Sequence, residues 1–175
     1  MQVERMMIKN KKHFYIFLIL ILIWRCIIFA FSAQPGDEST DTSIGFGAKV
    51  VGFFIPEFRE MSKEEQREFL EPYNFIIRKS AHFCEYAVMG MLSMLLLQQI
   101  YMKMKWKIFG SIGISAFMAC TDEFHQLFVE GRAGRIQDVC IDTSGAALGI
   151  LVTVIGITVI EKLCQRKTRI KKNLL

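Results

Sequence analysis

The chain has 175 residues, 52% of them hydrophobic, and 22 Lys and Arg against 17 Asp and Glu give a formal net charge of +5. A soluble domain of this size breaks its apolar residues into short periodic stretches, whereas here they form blocks near the ~20 residues of a spanning helix. This excludes an added soluble domain, and because the cations flank the apolar blocks, the basic balance points to membrane topology rather than nucleic acid.

The spacing predicts an all-α integral membrane four-helix bundle, one domain over 1–175 with spans at 14–33, 75–101, 108–129 and 139–160. The first block follows a basic run (Lys9, Lys11, Lys12) as a signal peptide would, but its apolar stretch continues past Arg25 without a nearby small-x-small cleavage site. It reads as an uncleaved first helix. The five cysteines are scattered and form no C-x-x-C pair, so they read as small packing residues rather than zinc ligands or a disulfide framework.

Lys and Arg concentrate on cytoplasmic flanks. They gather at the N-terminus (Arg5, Lys9, Lys11, Lys12), between the second and third spans (Lys103, Lys105, Lys107) and after the fourth (Lys162, Arg166, Lys167, Arg169, Lys171, Lys172). The segment 34–74 instead holds nine acids against four bases, Lys49, Arg59, Lys63 and Arg67. Both termini are therefore predicted inside and this long loop outside, with solvated lysines at the inner ends. Within the loop, Thr42 to Phe54 is amphipathic and suits the membrane interface. Ser62 with Glu65 forms a capping-box signature for a short helix that runs through Leu70 and stops at Pro72.

On this topology four polar patches converge on one extracytoplasmic face. Ser32 and Gln34 close the first span, and Arg78, Lys79, His82 and Glu85 open the second. Asp122, Glu123, His125 and Gln126 close the third, and Asp138 and Asp142 open the fourth. Arg78, His82 and Glu85 share a helix face at i, i+4 and i+7, as do Asp122, His125 and Gln126 at i, i+3 and i+4, while Glu123 points about a third of a turn away. Arg132 and Arg135 lie in the following loop, and Arg25 stands apart in mid-helix.

Ionisable groups at the bilayer centre cost ~2.5–3.5 kcal/mol on insertion scales, so such residues usually mark a function. A carboxylate beside an imidazole suits general acid–base chemistry. The four bases Arg78, Lys79, Arg132 and Arg135 suit phosphate or carboxylate. The third-span spacing is not that of a zinc protease, and no metal is assigned. Against all of these, a single intramembrane ion pair serves equally well to pin a bundle. Gly145 and Gly149 form a G-x-x-x-G that predicts close approach to the first or second helix.

The pieces Phe31-Ser32-Ala33-Gln34-Pro35-Gly36, Arg78 to Tyr86, Asp122 to Gln126 with Gly131-Arg132, and Asp138 to Gly145 resemble the VanZ-like family of small bacterial membrane proteins. Glu130 stands where that family more often has proline. The resemblance implies a bacterial cytoplasmic-membrane protein, and the family's namesake is associated with resistance to the glycopeptide teicoplanin. It supplies no reaction and no cofactor. The first expectation is a site acting on an anionic envelope lipid, a lipid-linked precursor or a lipoglycopeptide. His82, Glu85, Asp122, Glu123 and His125 are its catalytic candidates. Ser32, Gln34, Arg78, Lys79, Gln126, Arg132, Arg135, Asp138 and Asp142 are its binding candidates. The competitors are a non-enzymatic lipid or antibiotic binder and, last, a small transporter, for which the inner halves of the spans carry too few polar residues apart from Arg25.

Overall fold

The computed structural model describes residues 8–173, with side chains described through Lys167. Arg5 and the side chains of Arg169, Lys171 and Lys172 lie outside this description. Among the described residues the chain is helical, without strands. In order come α1 (Lys11–Ser32), α2 (Gly36–Phe54), α3 (Lys63–Leu70), α4 (Asn74–Gln98), α5 (Met104–Gln126) and α6 (Ile136–Asn173). The long helix α4 packs against α1, α2, α5 and α6, and α1 and α6 both also touch α5.

Three helical stretches are long and apolar enough to cross a membrane: Lys11–Ser32, Lys63–Gln98 and Ile136–Lys167. The second contains α4 together with the short α3 and a 3-10 turn at Glu71–Tyr73 that leads straight into α4. The predicted span at 108–129 corresponds to α5, which has the length but not the apolarity. The reason is a polar stripe. Lys107, Ser111, Ser115, Asp122, Glu123 and Gln126 are all buried along it with Ala119, while Trp106, Phe109, Phe117 and Phe124 point outward. Helix α5 is polar inside and apolar outside.

This stripe corrects two expectations. Lys107 is buried rather than solvated, and its Nζ donates to Gln98 Oε1 at 2.8 Å. The end of the molecule away from Arg78 and Asp138 is also less apolar than expected, because Ser93, Ser111 and Ser115 are completely buried there. Cys26, Cys84, Cys120 and Cys140 lie exposed on outward faces instead of filling the interior. The apolar core is supplied by larger side chains, among them Ile21, Ile28, Tyr86, Met89 and Leu96.

The seam between α4 and α6 is close because small residues line it. A Cβ on Gly145 would fall 2.2 Å from Phe83 O, and one on Gly149 only 1.9 Å from Ala87 O. The partner of this G-x-x-x-G is thus the helix of the predicted second span. The final helix runs to Asn173, past the predicted span end at 160, because nothing after Ile160 breaks helical geometry: the segment has neither Pro nor Gly.

Helices α2 and α3 carry a small core of their own, formed by Ile44, Phe58 and Leu70 and closed by Ile77 of α4. The capping box at the start of α3 forms as the sequence indicates, with Ser62 Oγ accepting from Glu65 N at 3.2 Å and Glu65 Oε2 accepting from Ser62 N at 2.8 Å. Arg67 pairs with Asp41 at 2.6 Å, and Arg59 donates to Gly52 O, which binds α3 and the preceding turn to α2.

Candidate functional site

The polar patches meet at one end of the helices. Asp122 is wholly buried, and Arg25 reaches it across the α1–α5 interface at 2.9 Å while also donating to Thr121 Oγ1 at 3.2 Å. Arg25 therefore belongs to the cluster from which its sequence position had separated it. Lys79 of α4 pairs with Asp138 of α6 in a largely buried ion pair. Gln126 donates to both Glu123 Oε1 at 3.2 Å and Asp122 Oδ2 at 3.4 Å. Adjacent carboxylates on α5 thus share Gln126 and otherwise face apart, Asp122 towards Arg25 of α1 and Glu123 towards the loop into α6.

That loop is positioned by glycine. Gly131 adopts φ +69, a left-handed conformation that L side chains rarely take, and it sits so close to the start of α2 that a Cβ on Gly36 would fall 2.5 Å from Gly131 O. Gly36 N donates to Glu130 O at 2.9 Å. The turn aims Arg132 back at the end of α1, where Nε donates to Gln34 O at 3.1 Å and Nη2 to Phe31 O at 3.0 Å. Further on, Glu123 Oε2 accepts from the Arg135 backbone N at 2.8 Å. Burial, followed by the nearby Arg78 guanidinium, pushes the Arg132 pKa below the ordinary arginine value.

Two cavities share a wall here. The smaller, about 100 Å³, is polar and is bordered by Arg78, Lys79, His82, Gln126, Arg132, Arg135 and Asp138. The larger, about 430 Å³, runs between α1, α2 and α4 and is mainly apolar, with Trp24, Phe31, Phe46, Ile77 and Val88 along it and Gln34 and Glu85 among its polar groups. Arg78, His82 and Arg132 border both cavities. Around the small chamber stand four basic side chains and one carboxylate, Asp138, which is already paired with Lys79. The arrangement can hold an anion through guanidinium groups.

The sequence candidates divide accordingly. Arg78, Lys79, His82, Glu85, Gln126, Arg132, Arg135, Asp138 and Gln34 border a cavity. His82 Nδ1 lies 3.9 Å from Glu85 Oε2, an ion-pair distance but too long for a hydrogen bond. Asp122, Glu123, Asp142, Ser32 and His125 border neither of the two cavities. His125 packs its ring on Phe29 of α1, with centroids 4.4 Å apart. Among the described residues, both carboxylate oxygens of Asp142 are buried without a hydrogen-bond partner, as are Ser32 Oγ and Tyr86 Oη. Among the described residues, no three His, Cys, Asp or Glu side chains are grouped to hold a metal ion.

The sequence set Arg25 apart from the cluster and left Trp24 unmarked. An isolated arginine in an apolar run was the available signal for the first, since such a charge needs a buried partner. Trp24 gave none: it lines the larger cavity while its Nε1 donates to Glu85 O at 2.8 Å.

Fold and site together define a helical membrane protein with a buried polar cluster at one end of its helices. The family model of VanZ/LLP1 matches residues 17–157, and the chain belongs to that family. No curated protein and no solved structure matches it.

Proposed function

We propose that this protein is a multi-pass protein of the bacterial cytoplasmic membrane whose polar site, at the outer face, engages the anionic part of an envelope molecule. Helix α5 serves as a fourth span beside α1, α4 and α6, because its outward face is aromatic and its polar residues turn inward. Both ends of the helical set lie in the cytoplasm, as the Lys and Arg flanks require, and α2 and α3 lie on the outer side, α2 in the membrane interface. The outcome of that engagement is envelope modification, and through it a contribution to glycopeptide tolerance of the kind linked to the family's namesake.

One observation carries this reading. The half-buried Arg78 and Arg132, with the exposed Arg135, converge on the small chamber. Among the described residues none of their side chains has a hydrogen bond or ion pair to a carboxylate, although Asp122, Glu123 and Glu85 lie near enough to act on Arg132. A structural charge cluster inside a bundle would be neutralised by its own partners, as Arg25 and Asp122 are. His82 and Glu85 are the groups placed to move a proton, since they border the cavity. Asp122, Glu123, Asp142 and His125 act behind them as positioning residues.

The test expresses the wild type, His82→Ala, Glu85→Gln and Arg78→Gln at matched membrane levels and compares teicoplanin susceptibility and envelope-lipid profiles. The expected result is a lipid species or a susceptibility difference seen with the wild type and lost in the variants. Identical profiles and susceptibilities in all four strains would overturn the proposal. The competing reading, a binder without chemistry, is supported by the 3.9 Å His82–Glu85 separation. It is distinguished by retention of the phenotype in Glu85→Gln together with its loss in Arg78→Gln.

A further inference from the structure

The two cavities share Arg78, His82 and Arg132 and differ in chemistry. The small chamber is walled by bases. The larger one, apart from those shared residues, is mainly apolar, with Glu85 as the carboxylate on its wall. Along α4 it extends from Arg78 to Val88, a rise of about 15 Å at 1.5 Å per residue. Its volume of about 430 Å³ lies within the range of pockets that enclose a small organic ligand.

The larger cavity also opens sideways. Thr42 and Phe46 are exposed one turn apart on α2, and Ser80 and Cys84 are exposed one turn apart on α4. All four border the cavity, so its mouth lies between these two helices. With the amphipathic α2 lying in the outer membrane interface, this mouth meets the edge of the lipid layer, and Phe46, 58% exposed, presents its ring there. A purely water-soluble anion has no use for such an opening. An amphiphile does, because its chain can remain in apolar surroundings while its head slides to the bases.

We infer that the site takes a phosphate-headed lipid, which enters laterally from the outer leaflet between α2 and α4. Its phosphate sits among Arg78, Arg132 and Arg135, and its chain lies along Trp24, Ile77 and Val88. A phosphate fits better than a carboxylate because three guanidiniums from two separate elements, α4 and the α5–α6 loop, can each engage a different oxygen. The inference rests on the reading above that the polar site holds an anion, and it adds the chain, the route and the head chemistry.

Trp24 is a built-in reporter, since it borders the chain-binding cavity. In a Trp106→Phe background, purified protein in nanodiscs is titrated with an alkyl phosphate brominated along its chain, and Trp24 quenching is followed. Saturable quenching is expected. Unbrominated alkyl phosphate should compete, whereas inorganic phosphate and the matching alkyl alcohol should be at least 100-fold weaker. Arg78→Gln, which removes a side chain with no hydrogen-bond partner among the described residues, should weaken binding at least tenfold. Ala81→Phe, which fills the cavity, should abolish the saturable component. Far-ultraviolet circular dichroism of each variant verifies that it is folded.

Equal competition by inorganic phosphate would overturn the lipid inference and leave the anion reading standing. Equal binding of the alcohol, unaffected by Arg78→Gln, would overturn both. Absence of any saturable quenching, with free phosphate still stabilising the protein to heat, would again remove only the lipid chain.

Discussion

Arg25 of α1 and Asp122 of α5, 97 positions apart in sequence, meet at 2.9 Å, and the carboxylate of the pair is fully buried. Removing one partner of a buried pair leaves an uncompensated charge and costs about 3–5 kcal/mol, whereas replacing both with apolar residues is often neutral. Arg25→Ala should therefore sharply lower the thermal midpoint in detergent, and Arg25→Met combined with Asp122→Leu should recover most of the loss. A double variant as unstable as Arg25→Ala would show that the pair does more than balance charge.

The glycines of α6 offer a matched comparison. Gly149 has Ala87 O where a Cβ would go, while Gly156, two turns later, has nothing within 4 Å. Gly149→Ala must push α4 and α6 apart and should cost several kcal/mol, by analogy with overpacking penalties of about 1–3 kcal/mol in cores plus the lost seam. Gly156→Ala should be neutral or stabilising by up to about 1 kcal/mol, the helix-propensity difference. Thermal unfolding of the two variants side by side checks the ranking.

Asp142 is the clearest case of a group retained at a cost. It is 1% exposed and, among the described residues, neither oxygen has a hydrogen-bond partner. An unsatisfied buried polar group costs about 1–3 kcal/mol, and more when charged. Asp142→Leu should raise stability while abolishing any susceptibility or lipid difference that the proposed function produces. A loss of stability would instead mean that the carboxylate has a structural partner in the membrane.

Orientation is testable with single cysteines. In a background with all native cysteines replaced by alanine, Glu60→Cys should react with a membrane-impermeant maleimide in intact cells. Lys105→Cys should react only after the cells are opened. Labelling of both in intact cells would invert or break the proposed topology.

Much of this arrangement could be read from residue order. Four polar patches placed at alternate ends of apolar blocks have to meet if the blocks run back and forth, and the ends of α1 and α5 do meet the starts of α4 and α6. The short helix at Ser62 was legible because a capping box is a local signal. What was not legible is tertiary. No pattern in the chain tells Arg25 that its partner is Asp122, because on a helix a single charge has a position along the axis but no marked neighbour. Likewise the polar stripe of α5 hid in plain serines and one lysine, which lower its apolarity below that of a lipid-exposed span without marking a motif. The cavity between α1, α2 and α4 depends on how a loop helix leans on a long one, and no spacing rule encodes that.

The small core of α2 and α3 also has a practical meaning. Ile44, Phe58 and Leu70 are buried against one another and against Ile77, so this stretch travels with α4 as one piece instead of flapping over the site. On the proposed topology it stands outside the cell as a shaped, self-supporting epitope. A nanobody raised against it would grip a surface whose form is coupled, through Ile77, to the helix that carries Arg78 and His82. Such a binder could sense or freeze the state of the site without crossing the membrane.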